Sequence, residues 1–184
     1  MIEKLRKYIN LDGLGSRIPL SANAITALSL ILALAGVPLV WIYGVPAWIL
    51  IGVVGVLDVL DGAVARARGT AGKPGALLDS TLDRYTDALI LLYFYRFAPP
   101  LLIYISLIGT FLISYVRARA ESLGLSMRGV GFMERAERLI YLLAASILGL
   151  FYRDVLAWAL YLYAALVNAA AAYRFLAAYR ALKR

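Results

Sequence analysis

The sequence predicts an all-α integral membrane protein: six transmembrane helices preceded by a short N-terminal amphipathic interfacial helix, forming one domain over residues 1–184. Three observations predict it. Hydrophobic residues make up 63% of the chain and charged residues only 16%, and a soluble protein of this size has no interior large enough to bury so much apolar surface. The apolar residues collect into six stretches close to the roughly 20 residues that a spanning helix needs. Breakers separate them: Gly44 and Pro46, Lys73-Pro74-Gly75, Pro99-Pro100, Gly124 to Gly131, and Arg153-Asp154.

The elements follow in order. Ile2, Leu5 and Ile9 share one helical face and Glu3, Lys4 and Lys7 fall elsewhere, a pattern suited to a helix lying in the membrane interface. The segment lacks an uninterrupted apolar core before Asp12, so it is not expected to be a cleaved signal peptide. Residues 10–17, with Gly13 and Gly15, read as a turn. The spans are expected at about 22–43, 47–66, 75–97, 99–119, 135–152 and 155–176. With six spans and a cytoplasmic N-terminus, all but Arg96 and Arg153 of the 19 Lys and Arg face the cytoplasm, which fixes the orientation with both termini inside.

Composition also excludes chemistry. There is no Cys and no His, which removes disulfides, thiolate catalysis, imidazole bases and the usual zinc ligands. The net charge is +8. Because the basic residues gather at the ends of apolar segments, the charge points to anionic phosphates at a membrane surface and away from nucleic acid.

Most of the chemical information lies in the second and third spans. Asp58 and Asp61 are i,i+3 and Asp79 and Asp83 are i,i+4, so each pair occupies one face of its helix. The connection is short, so antiparallel neighbours can bring the four together. Carboxylates in a membrane span are costly and mark function. Four like charges need cations to neutralise them, and all-oxygen ligation selects hard divalent ions, Mg²⁺ or Mn²⁺. Two such ions balance four carboxylates, and the diphosphate of a nucleotide-activated donor can add oxygen ligands. Gly62 and Ala65 leave room for a ligand or a neighbouring backbone. Gly75, beside Pro74, opens the third span, and Arg66 can reach a phosphate.

The arrangement D-x2-D-G-x2-A-R-x8-G-x3-D-x3-D, from Asp58 to Asp83, resembles the signature of the CDP-alcohol phosphotransferase family at every specified position. The resemblance extends over roughly residues 22–138 and implies the family's six-span fold and a homodimer. It implies that Asp58, Asp61, Asp79 and Asp83 organise two metal ions around the diphosphate of a CDP-activated lipid, and that Asp83 is the base that takes the acceptor's proton. Gly62, Ala65, Arg66 and Gly75 would line the CDP site. Asn23 and Thr26 resemble further nucleotide contacts, with a helix N-cap as the alternative. Related sequences often carry Thr where this chain has Gly72, so the resemblance implies one hydroxyl contact to the donor fewer here, with Lys73 beside it as a substitute charge.

Ser114, Arg117, Arg135 and Arg138 form a second constellation. On chemistry alone the arginines are either phosphate ligands, through their guanidinium forks, or interfacial anchors neutralised by Glu134 and Glu137. The run S-Y-V-R-A-R-A-E-x-L-G-L followed by E-R-A-E-R-L resembles the subgroup that makes inositol-phosphate phospholipids, the archaeal type above all. On that resemblance the four residues bind L-myo-inositol 1-phosphate, the donor is CDP-diacylglycerol or CDP-archaeol, and CMP is released at the cytoplasmic face of the cell membrane. Glycerol 3-phosphate would need a similar basic pocket and is the nearest alternative acceptor. From another class, a cation transporter would use the carboxylates for a transported ion. Such proteins show paired repeats and helices broken at mid-membrane, and no repeat is visible here.

Overall fold

The computed structural model describes residues 12–183, and among them every regular element is a helix. They are α1 (Asp12–Gly15), α2 (Ala22–Trp41), α3 (Ala47–Ala67), α4 (Lys73–Tyr93), α5 (Pro100–Ser122), α6 (Arg135–Phe151) and α7 (Arg153–Leu182). The chain divides into two compact units, Met1–Ile90 and Leu91–Arg184.

In the first unit α2 starts at Ser21, whose side-chain oxygen accepts a hydrogen bond from the Ala24 N–H at 3.3 Å, satisfying one of the donors a helix start leaves open. It packs against α3, the two burying Ile25, Ala33, Ile51 and Val54. The one-turn α1 also packs on α3, and an Arg68 Nη2 donor tethers the chain that follows it by binding the Ile18 carbonyl. The reversal after α3 is a Schellman motif. The Thr70 N–H reaches the Ala65 carbonyl at 3.0 Å and the Gly69 N–H the Arg66 carbonyl at 3.1 Å. Gly69 takes the left-handed position at φ +63, where a Cβ would be strained. This tight exit lets α4 begin at Lys73, with Pro74 in its first turn.

In the second unit α5 packs along α7, and α6 packs on α7 as well. Gly109 permits the close crossing: a Cβ there would sit 2.7 Å from Val167 Cγ2 and 2.9 Å from the Asn168 backbone nitrogen. Asn168 Nδ2 donates to the Ile105 carbonyl at 3.1 Å and to the Ala164 carbonyl at 2.9 Å. Buried Thr110 and Tyr163 bring their hydroxyls to 3.2 Å. Small residues with interhelical side-chain bonds are how helices associate where no water drives them together. Tyr141 ties α6 to α7 through the Ala159 carbonyl at 2.8 Å.

The expected six spans are corrected to four. Among the described residues four helices are long and apolar enough to cross a membrane: α2, α3, α5 and α7. α4 has the length, but Lys73, Asp79, Asp83, Arg84 and Asp87 make it too polar. α6 has 17 residues, which at 1.5 Å per residue reach about 25 Å, short of the roughly 30 Å hydrocarbon core. The expected interfacial helix lies outside the described residues, and within residues 10–17 the expected turn contains the single helical turn α1. Outward-facing Ile31, Leu34, Leu101 and Trp158 are each at least 60% exposed, as suits surfaces solvated by lipid.

Candidate active site

Asp58 and Asp61 project from α3 and Asp79 from α4, and each offers a carboxylate oxygen within 4.8 Å of the others. Asp61 is buried and the other two are half-buried. Oxygens bound to one Mg²⁺ at about 2.1 Å lie roughly 3–4 Å apart, so small side-chain rotations would close the three onto an ion. The donor set is all oxygen, which fits a hard divalent cation. Like charges this close, in an apolar helix, are otherwise mutually destabilising. Asp83 is not one of these three. It follows Asp79 by one turn on the same face of α4, is 8% exposed, and has Arg84 Nη2 at 3.5 Å.

Beside the acids is a cavity of about 220 Å³. Its lining includes Asn23 and Thr26 from α2, Asp61, Gly62, Ala65 and Arg66 from α3, and Gly75 and Asp79 from α4. All six residues expected to meet the donor are therefore brought together. Neither Asn23 nor Thr26 is the N-cap, which is Ser21. Thr26 Oγ1 donates to Asp61 Oδ2 at 2.9 Å and also lies 3.0 Å from the Ala22 carbonyl. A Cβ on Gly75 would stand 3.5 Å from Asn23 Oδ1, so a side chain there would fill the gap between α2 and α4. Gly72 also lines the cavity.

The expected acceptor residues belong to the second unit. Arg117 Nε donates to Glu121 Oε1 at 3.1 Å and lines an open cleft of about 480 Å³ with Leu125 and Arg128. Ser114 is half-buried one turn earlier on α5, and Arg135 is half-buried at the start of α6. Arg138 is 3% exposed and its Nη1 donates to the Met133 carbonyl at 2.9 Å. Glu137 is part of the α6 cap, accepting from the Glu134 N–H at 3.1 Å, a role beyond neutralising arginines.

Sequence reasoning missed Arg174. It was counted with the flanking positive charges, yet it lies within the stretch expected to span at 155–176, where an ionisable residue is itself a sign of function. It is 3% exposed, and Arg117, Arg138 and Glu134 lie within its electrostatic reach. The Thr26–Asp61 bond was missed too, since sequence spacing gives no pairing between the first and second spans.

Comparison with known proteins locates this architecture. Residues 20–178 match the family described as CDP-alcohol phosphatidyltransferase. Archaetidylinositol phosphate synthase of Aeropyrum pernix is 42% identical over 132 residues, covering 70% of this chain and 68% of the relative. Archaetidylinositol phosphate synthase of Methanothermobacter thermautotrophicus is 40% identical over 149 residues, covering 79% and 74%. Among solved structures, phosphatidylinositol phosphate synthase of Mycobacterium tuberculosis with CDP-DAG bound superposes with a TM-score of 0.77 at 28% identity, covering 92% of this chain and 93% of that one. The same enzyme in complex with manganese and citrate gives 0.77 at 28% identity, covering 92% and 88%.

Proposed function

The chain belongs to the CDP-alcohol phosphatidyltransferase family, and from that premise we propose that it transfers a phosphatidyl-type group from CDP-diacylglycerol or CDP-archaeol to L-myo-inositol 1-phosphate, releasing CMP and leaving a phospholipid inositol phosphate. The observation that carries the chemistry is the trio Asp58, Asp61 and Asp79, with oxygens within 4.8 Å of one another, beside a cavity bearing the other donor residues. The acceptor assignment is supported by relatives named for inositol phosphate products.

Asp58, Asp61, Asp79 and Asp83 would hold two divalent ions, Mg²⁺ or Mn²⁺. Bound there, such ions neutralise the donor diphosphate and the charge that develops on the departing CMP. Asn23, Thr26, Gly62, Ala65, Arg66 and Gly75 hold the cytidine diphosphate. The small residues let it approach the helices, and Arg66 supplies a fork for a phosphate. Thr26 fixes the Asp61 carboxylate through its hydrogen bond. Asp83 accepts the acceptor's hydroxyl proton as that oxygen bonds to phosphorus and the bond from phosphorus to the CMP oxygen breaks. Ser114, Arg117, Arg135 and Arg138 hold the acceptor phosphate. Arg66, Arg68 and Lys73 beside the acids, and basic residues toward both ends of the chain, support placing the four aspartates and both termini at the cytoplasmic face of the cell membrane. Family resemblance supports a homodimer.

The test is CMP release by purified protein in vesicles containing CDP-diacylglycerol or CDP-archaeol, with Mg²⁺ and inositol 1-phosphate, glycerol 3-phosphate or serine. Release is expected with inositol 1-phosphate and not in Asp83→Asn. Release with glycerol 3-phosphate alone overturns the acceptor. Cation flux across the vesicle with no CMP from any alcohol overturns the chemistry in favour of a transporter.

A further inference from the structure

We propose that Arg174 is a positioning residue, a latch from α7 that holds the 123–134 connection in place and so sets the side chains that receive the acceptor. The proposal rests on the reading of Ser114, Arg117, Arg135 and Arg138 as acceptor ligands. A guanidinium presents five donors in a rigid plane and must find acceptors when water is excluded. Arg174, 3% exposed, hydrogen-bonds two segments and pairs by charge with a third. Nη1 donates to the Ile113 carbonyl on α5 at 3.0 Å. Nε donates to the Val130 carbonyl on the connection at 3.1 Å. Nη2 faces Glu134 Oε1, at the threshold of α6, at 4.0 Å.

The connection is shaped to this side chain. A Cβ on Gly131 would come within 3.1 Å of Arg174 Nε and 3.2 Å of Nη2, and the residue sits at φ +99. A side chain there is strained by the backbone and would press on the guanidinium lying against it. One turn along α7, Ala178 packs with Met127 of the connection and Ala120 of α5 in a buried apolar cluster. At the other end Arg138 holds the carbonyl of Met133, itself in the left-handed region at φ 56. The segment between Arg117 and Arg135 is thus clamped at Met127, Val130 and Met133. A lysine at 174 would supply one point charge and could not bridge two backbone carbonyls in a fixed plane.

The test uses full-length protein in detergent micelles and the variants Arg174→Met, Arg174→Lys and Gly131→Ala. Two quantities are read: KM for each substrate, and the rate of trypsin cleavage after Arg128, which is exposed on the connection. Arg174→Met and Gly131→Ala are each expected to raise the acceptor KM roughly tenfold, the size of losing buried hydrogen bonds to a charged group, to leave the CDP-lipid KM unchanged, and to speed cleavage after Arg128. Arg174→Lys is expected to fall between and serves where the methionine variant fails to fold. If Arg174→Met raises the acceptor KM while Gly131→Ala does not, and cleavage stays slow in both, Arg174 contacts the acceptor directly and the latch is wrong. Equal loss for both substrates overturns it as well. If inositol phosphate is not turned over by the unaltered protein but both variants accelerate cleavage, the latch stands and the acceptor assignment falls.

Discussion

Thr26 and Asp61 bind each other across 35 residues of sequence, with 2.9 Å between hydroxyl and carboxylate. A hydrogen bond to a charged group contributes about 1.5–3 kcal/mol, and here it also fixes which way an oxygen of the proposed metal site points. Thr26→Val keeps the shape and removes the donor. It should weaken the apparent Mn²⁺ affinity about tenfold or more, read by titrating Mn²⁺ against CMP release, while Thr26→Ser restores it. Asp83→Asn removes the proposed proton acceptor without changing volume. It should lower kcat by roughly 10²–10⁴ with CDP-lipid binding retained by equilibrium binding, and an unchanged kcat would assign the proton to another group. The acids were legible because their chemistry demands one residue type at fixed helical spacing. Arg174 was not, because its partners are backbone carbonyls 61 and 44 residues away, and a carbonyl leaves no mark in the sequence. The one mark of Arg174 in the sequence is its place inside the apolar stretch expected to span at 155–176.

At the scale of the element, the helical segments were legible and their relation to the bilayer was not. Breakers at Gly44, Pro46, Pro74 and Pro99 fall at or beside real helix ends, because φ and hydrogen-bond constraints act locally. α4 reads as a span in the sequence because its apolar C-terminal end, from Ala88 to Tyr93, runs on from a first part that carries five charged residues. α6 reads as one because a 17-residue helix is only about a turn short. Helix pairing left a fainter trace. Gly109 stands in an apolar run with nothing to distinguish it until its Cβ is placed 2.7 Å from Val167 and 2.9 Å from a backbone nitrogen. Backbone cannot swing aside as a side chain can, so a larger residue must part α5 from α7 and strip the Asn168 bonds. Gly109→Val should destabilise the second unit by about 1–3 kcal/mol, the usual range for overpacking, seen as a lower midpoint in a thermal unfolding scan in detergent. Gly13→Ala, where an added Cβ meets nothing within 4 Å, should leave that midpoint unchanged.

The whole molecule is built for a reaction in two dimensions. Among the described residues four helices are long and apolar enough to cross a membrane, the exposed apolar side chains of α2, α5 and α7 suit lipid, and the net charge of +8 draws the protein's basic edges to anionic headgroups. The proposed donor keeps its hydrocarbon chains in the same layer. Enzyme and donor therefore meet by lateral diffusion, and the relevant donor concentration is its mole fraction in the bilayer or micelle. The proposed acceptor is a soluble anion and arrives from water, so its effective concentration is the bulk one. Raising detergent at fixed bulk CDP-lipid should lower the rate in proportion to the donor's surface dilution, and restoring the mole fraction with more CDP-lipid should recover it. Raising detergent should not change the acceptor KM. A rate that followed bulk CDP-lipid and ignored detergent would mean the donor is captured from solution, and the apolar surface that defines this fold would then have no part in delivering it.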